Sequence, residues 1–390
     1  MLWGTPLPDQ VARPTVLRPL LERAVAANPD NGLLREKLAY LHLDRFDFAA
    51  AAASFEAALA LEPKPDHARL PLARCYNMMG RPGEALHLLE AVATPVYERG
   101  LALMLLGDLV SAEREFRGIL ALDADHRDAC RKLCRLLRRS GREGEIAELC
   151  EALAERGARN AQLLYNWGWG LALTGDSIRA RRLLFEPERV FRTEFPVPEG
   201  FAGTAEFNDA LAEEILTNPH RLVDFPEEEE ANRGSKRVDN LFTGRRPELI
   251  ELLMRSVERI VAALAPTVRD GFDPWPGARP AAARLRPWGL LQRGDDYEAQ
   301  HIHSGGWLSG VYYVRVPRCV SEGMDGRGCI EFGPPRRLAE AVPDAAPTCQ
   351  FVPQEGLLLL SPSHYPHRTI PSLVQEDRIT IAFDVVPDKP

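Results

Sequence analysis

Gln300-His-Ile-His-Ser-Gly-Gly-Trp-Leu-Ser-Gly-Val-Tyr-Tyr-Val314 is the stretch on which the reading of this chain turns. Leu308 to Val316 has the β-branched and aromatic content of a strand, and His301-Ile302-His303 lies just before it. Side chains alternate along an extended chain, so positions i and i+2 share a face. His301 and His303 therefore reach toward one point, with Ile302 turned to the core. A third imidazole, His367, stands 66 residues after His301, at the end of Ser361-Pro-Ser-His-Tyr-Pro-His367. Arg378 follows 11 residues later in Asp377-Arg-Ile-Thr380. Arg378 and Thr380 share a strand face, and a guanidinium beside a hydroxyl suits a small carboxylate. Taken singly, these residues read as core histidines and a salt-bridged arginine. Their order (paired His, strand, late His, Arg) points to a metal centre with a carboxylate site beside it.

The surroundings fit. From Ala282 onward, short β-type runs alternate with Pro/Gly turns: Arg284 to Gln292, Leu308 to Val316, Cys329 to Phe332, Gly356 to Leu360 and Arg378 to Val385. Several short strands with turns indicate a sandwich, barrel or jelly roll. Upstream, Glu206 to Thr217 and Glu248 to Leu264 carry apolar residues at helical spacing. The acidic run Glu227 to Glu230 and Asn232 to Lys236 read as a mobile loop. Glu331 reads as a strand-edge charge rather than a ligand.

The first half has another period. Gly107, Gly141 and Gly175 stand 34 residues apart, as do Phe46 and Gly80, while Gly80 to Gly107 is a shortened step of 27. Seven residues before these markers stand Ala39, Ala73, Gly100, Cys134 and Gly168; nine after stand Phe55, Leu89, Phe116, Cys150 and Leu184. Small residues at the first set let two helices approach closely. A 34-residue helix–turn–helix period is that of tetratricopeptide (TPR) proteins, which the chain resembles from about Pro14 to Phe185, with Ala58 and Pro63 completing the first repeat. Such arrays stack into a superhelix whose concave face docks peptides or proteins, or serves only as scaffold. No proline falls between Val96 and Glu186, as continuous helix requires. Prolines then break Pro187 to Gly200, the expected connector.

The bulk numbers narrow the function. The chain has 390 residues and a net charge of −8, so two domains are expected and nucleic acid is not a favoured partner. The longest aliphatic run, Leu357 to Leu360, is far below the roughly 20 residues that span a bilayer. No secretory signal is apparent, and seven scattered cysteines without Cys-x-x-Cys favour a reducing cytoplasm. Cys130 and Cys134, one helical turn apart, read as buried apolar residues rather than half a metal site.

Together, the stretch from Gln300 to Val314, the turn around Gly328-Cys-Ile-Glu-Phe-Gly-Pro334, the strand from Gly356, Pro366-His367, Pro371 and Arg378 resemble an Fe(II)/2-oxoglutarate-dependent oxygenase family. The resemblance spans about Phe201 to Val386. It implies a double-stranded β-helix (jelly-roll or cupin-like) with flanking helices. The fold class is thus multi-domain α + β, with a TPR-like superhelix at 1–186, a connector at 187–200 and an oxygenase domain at 201–390. It implies Fe(II) on His301 and His367, with 2-oxoglutarate and dioxygen as cosubstrates. Arg378, aided by Thr380, would take the far carboxylate; Tyr313 is a candidate second contact, with Tyr312 facing away. The common triad has a carboxylate two residues after the first histidine, where this chain has His303. Three outcomes stay open: His303 completes a three-histidine site, it stays off the metal and water completes the site, or iron is not bound productively. Strand geometry favours ligation. His364 reads as a surface loop histidine, and with Trp307 it is a candidate substrate contact. The expected activity is hydroxylation of a protein or peptide recruited by the TPR groove. The alternatives are a TPR interaction protein with a degenerate β-domain, or a three-histidine iron dioxygenase that does not use 2-oxoglutarate. The oligomeric state is open.

Overall fold

All five turn markers of the repeat take positive φ: Phe46 (58°), Gly80 (70°), Gly107 (85°), Gly141 (67°) and Gly175 (90°). The residue that releases the chain from one helix into the next must enter the left-handed region, which glycine does freely. Phe46 holds the same conformation with a side chain, at a cost of about 1 kcal/mol. The computed structural model describes residues 13–43, 46–61, 66–218, 231–238, 241, 248–268, 274–323, 325–342 and 347–388. Pro63 and Glu227 to Glu230 lie outside them.

Eleven helices follow the repeat: α1 (Arg13–Ala27), α2 (Gly32–Leu43), α3 (Phe48–Leu61), α4 (Asp66–Met78), α5 (Pro82–Leu89), α6 (Tyr97–Leu105), α7 (Leu109–Leu122), α8 (Arg127–Arg139), α9 (Gly144–Glu155), α10 (Ala161–Leu173) and α11 (Ser177–Leu184). The shortened step is met by α5 and α6, of 8 and 9 residues. The expected interhelical positions are all inside: Ala39, Ala73, Cys134, Phe55, Leu89, Phe116, Cys150 and Leu184 are fully buried. Smallness there is a steric demand. A Cβ on Gly100 would lie 2.7 Å from the Phe116 ring, and one on Gly170 would lie 2.5 Å from the backbone nitrogen of Ala147.

The helices fall into two compact units. Those up to Ser140 form one; α9, α10 and α11 belong with the β-structure in the other. The reason is a shared core. Phe185, at the end of α11, stacks on Phe332 at 5.9 Å, and the Tyr365 hydroxyl donates to the Arg182 carbonyl at 3.1 Å.

The strands are β1 (Phe191–Glu194), β2 (Asn232–Arg233), β3 (Lys236–Val238), β4 (Ala283–Gly294), β5 (Tyr297–Glu298), β6 (Leu308–Arg315), β7 (Ile330–Phe332), β8 (Cys349–Phe351), β9 (Leu357–Pro362), β10 (His367–Thr369) and β11 (Val374–Pro387). They form a six-stranded sheet of order β1-β9-β6-β11-β4-β3, a three-stranded sheet β10-β7-β8, and the pair β2-β5. The pairings are antiparallel. This is the double-stranded β-helix architecture. Pro287 sits in β4 without breaking the sheet; among the described residues β3 pairs with Gly289–Leu291, short of Pro287.

A core of Tyr313, Ile330, Phe332, Leu357, Leu359 and Tyr365 joins the two larger sheets. The opposite face of the large sheet packs on the helix Thr204–Leu216: the Tyr312 hydroxyl donates to Asn208 Oδ1 at 2.7 Å. Tyr312 and Tyr313 thus point to opposite faces. Two segments differ from expectation. Asn232 to Lys236 is not a loop throughout, since β2 and β3 pair there; their charged residues hide the two-residue alternation. Phe191–Glu194, within the stretch read as a connector, is the edge strand against β9.

Replacing Gly170 by Ala is expected to cost about 1–3 kcal/mol by overpacking against the α9 backbone, read as a lower urea midpoint. Gly83→Ala, where a Cβ meets nothing within 4 Å, should leave the midpoint unchanged or raise it.

Candidate metal and cosubstrate site

The chain backbone brings the three imidazoles together before any side chain takes part. His301 and His367 form an isolated antiparallel bridge, each amide donating to the other's carbonyl at 3.0 Å. The His303 amide donates to the Ser363 carbonyl at 2.9 Å. The ring centroids are then 4.4 Å (His301–His367), 5.0 Å (His301–His303) and 5.0 Å (His303–His367) apart. One nitrogen from each ring lies within 4.8 Å of the others.

Each ring is oriented through its Nδ1. That of His301 donates to the Ala299 carbonyl at 2.8 Å and that of His367 to the Tyr365 carbonyl at 3.0 Å. A carbonyl oxygen only accepts, so both Nδ1 atoms carry the hydrogen and both Nε2 atoms present lone pairs. The His303 Nδ1 lies 2.7 Å from Asp384 Oδ1. Its Nε2 is 3.2 Å from the Nε2 of His367. If both were bare, two lone pairs would face each other at that distance, so the arrangement calls for a proton or a metal ion between them. Burial, then the neighbouring imidazoles, holds His301 well below the usual histidine range; burial and His303 press His367 down to about 3. Both are neutral at neutral pH, the form that ligates a metal.

Asp384 completes this end. Burial would raise its pKa, but His303 and the hydrogen bond from the Ser309 hydroxyl at 2.7 Å hold the carboxylate below its ordinary value. Ser309 in turn lies 2.7 Å from the Ser363 hydroxyl. Trp288 stacks on His303 at 5.4 Å, and the Arg237 guanidinium lies over the Trp288 ring at 4.9 Å.

Along the same face of β11 lie Thr380 and Arg378. Thr380 pairs with Tyr313 of β6, and the Arg378 guanidinium carbon is 5.5 Å from the Tyr313 ring centre. All three side chains are buried. Arg378 Nε and the Tyr313 hydroxyl make no hydrogen bond of good geometry, although the guanidinium and the phenol lie close enough to interact with each other. Burial lowers the Arg378 pKa and raises that of Tyr313. An unsatisfied buried guanidinium nitrogen beside an unsatisfied phenol is chemistry that a carboxylate would complete.

The residues present therefore fit both groups implied by the sequence: three aimed imidazoles for a divalent metal, and Arg378 with Tyr313 and Thr380 for a dicarboxylate. Two sequence expectations fare differently. His364 is not a surface residue. It is fully buried between Trp275 (6.4 Å) and Tyr365 (4.9 Å), because the Pro-bounded turn folds inward under the short helix Pro274–Gly277. Trp307 is engaged elsewhere: it stacks on Trp275 at 5.2 Å, and each indole N–H donates to the other residue's carbonyl. Glu331 is ion-paired with Arg368 at 2.7 Å. Sequence reasoning missed Asp384, although strand alternation from Arg378 and Thr380 leads to it. It also missed Trp288, which stacks on His303, and Arg237, which pairing register brings over the Trp288 ring.

Neither ring nitrogen of His364 has a hydrogen-bond partner, and burial, then the Arg189 charge, depresses its pKa to about 3. Its folded pKa is below its unfolded one, so the unfolded chain takes up the proton first and stability falls with pH below about 6.5. This one group costs up to about 1.4 kcal/mol per pH unit in that window. His364→Leu should therefore lose less stability than wild type between pH 7 and pH 5, measured by urea unfolding of the metal-free protein.

Comparison with known proteins agrees with the two halves. Residues 286–384 match the family described as "Putative 2OG-Fe(II) oxygenase", a span containing all three imidazoles, Arg378 and Asp384. Residues 42–95 match the tetratricopeptide repeat. No curated protein matches the chain. Among solved structures, a prolyl-4-hydroxylase from Pseudomonas putida aligns at 14% identity and TM-score 0.35, covering 56% of this chain and 100% of its own. A Trichoplax adhaerens prolyl hydroxylase, in complex with a hypoxia inducible factor peptide fragment, aligns at 13% identity and TM-score 0.36, covering 51% and 84%. A tetratricopeptide repeat protein from Parabacteroides merdae aligns at 15% identity and TM-score 0.36, covering 43% and 69%. The chain thus carries a tetratricopeptide repeat segment and, C-terminal to it, a segment that matches the 2OG-Fe(II) oxygenase family.

Proposed function

We propose that this protein is an Fe(II)- and 2-oxoglutarate-dependent oxygenase that hydroxylates a protein or peptide recruited by its TPR region. The observation that carries the reading is the joint placement of two incomplete groups on one side of the large sheet. Three imidazoles converge with Nδ1 atoms engaged, and nearby a buried Arg378 and Tyr313 have polar atoms without a hydrogen bond of good geometry.

In this reading His301, His303 and His367 hold the iron. Arg378, with Thr380 and Tyr313, takes the far carboxylate of 2-oxoglutarate and fixes its orientation. Bound there, iron and 2-oxoglutarate supply oxidative decarboxylation and dioxygen activation, chemistry no side chain provides. The chain's own contribution is ligand geometry and exclusion of water, to which the apolar core around Tyr313, Phe332, Leu359 and Tyr365 is suited. The close approach of the His303 nitrogen supports ligation over a two-histidine site. The unsatisfied Arg378 favours use of the cosubstrate over a three-histidine dioxygenase without one. Stacked repeats commonly present a peptide-docking face, which supports a macromolecular substrate. Seven cysteines with no disulfide among them suit a cytoplasmic setting. Among the described residues no helix is long and apolar enough to cross a membrane.

The test is anaerobic loading with Fe(II), then measurement of succinate formed from 2-oxoglutarate in air. Wild type should turn over, His367→Ala should not, and Arg378→Ala should raise KM for 2-oxoglutarate at least about tenfold, as loss of a charge-assisted pair predicts. Turnover undiminished in His367→Ala would overturn the reading. Partners trapped by His367→Ala and then exposed to active enzyme should gain the mass of one oxygen atom on a single peptide. A macromolecular substrate is excluded if no trapped partner changes mass.

A further inference from the structure

We propose that Asp384 is a positioning residue that makes His303 a substitute for the carboxylate ligand of the common triad. The inference rests on the three-histidine metal reading above. A two-histidine, one-carboxylate set gives a divalent ion three donors and one negative charge. Three neutral imidazoles give the donors without the charge. In this chain the charge sits one hydrogen bond further out. Asp384 Oδ1 is 2.7 Å from the His303 Nδ1, and the Asp384 side chain is itself almost buried. Ser309 holds the same oxygen from the other side at 2.7 Å, and Ser363, whose carbonyl receives the His303 amide, lies 2.7 Å from Ser309.

The bond does two things. An ionised carboxylate only accepts, so it draws the ring hydrogen to Nδ1 and leaves Nε2 as the donor atom aimed at His301 and His367. It also places a negative charge directly behind the ring, as carboxylates behind metal-bound histidines do. The other two rings are held by neutral carbonyls, of Ala299 and Tyr365. The three positions are therefore not equivalent: His303 alone carries a charge behind it, and His303 alone stands where a carboxylate is usual. Trp288 stacked on the His303 ring closes off rotation.

The experiment measures Co(II) binding to the full-length protein without oxygen or 2-oxoglutarate, by calorimetry and by the visible ligand-field spectrum. Wild type should bind one ion at this site, and His367→Ala should not; if wild type binds none there, the metal reading fails and the proposal with it. Asp384→Asn should weaken Co(II) binding about 10- to 100-fold and shift the spectrum. Ser309→Ala, a milder change should Asp384→Asn not fold, should weaken binding in the same direction by a smaller factor. The decisive comparison uses His303→Asp, which places a carboxylate directly at the site. In that background Asp384→Asn should bring no loss of affinity, because the residue acts only through the imidazole. An equal loss in both backgrounds would mark Asp384 as merely structural. Wild-type affinity and spectrum in Asp384→Asn would overturn the proposal while leaving the three-histidine site standing.

Discussion

Two imidazole nitrogens 3.2 Å apart, His303 Nε2 and His367 Nε2, impose the condition that the rest of the β-domain meets. Bare nitrogens at that distance repel, and burying imidazoles costs hydration. The site persists because backbone and Nδ1 hydrogen bonds over-determine each ring: a two-way amide bridge joins His301 to His367, carbonyls accept from two Nδ1 atoms, and Asp384 engages the third. What remains unsatisfied points inward. Such preorganisation lets a metal ion be bound without rearranging its ligands.

The sheets turn that condition into a site with two ends. β11 runs between β4 and β6, and its alternation sends Arg378, Thr380, Ala382 and Asp384 to one face. A single strand thus carries both the carboxylate beside His303 and the buried Arg378 guanidinium. β10 begins at His367 and pairs with β7, so the third imidazole comes from the smaller sheet. The histidine cluster is where the sheets are stitched together. The Phe185–Phe332 stack ties the last TPR-like helices into the same core, which is why these helices form one compact unit with the sheet.

Much of this was legible in the residues. The repeat markers named in the sequence are the five left-handed turns, and the small-residue positions are the buried helix contacts, because both are local steric demands written at fixed spacing. The His301/His303 pairing followed from strand alternation. What escaped was non-local. Arg237 comes over Trp288, the ring that stacks on His303, only through the register of β3 on β4. His364 looked exposed because a Pro-Ser-His-Tyr-Pro turn is polar in composition, yet tertiary packing on Trp275 buries it. Asp384 needed two more steps of the same alternation that had already found Thr380.

Iron and 2-oxoglutarate held together at one site would leave an optical signature, which an anaerobic absorption titration reads. Wild-type protein given Fe(II) and 2-oxoglutarate should develop a visible metal-to-ligand charge-transfer band that neither addition produces alone, since the cosubstrate must touch the iron to create it. Iron binding at this site with no such band at saturating 2-oxoglutarate would rule out joint binding of the two.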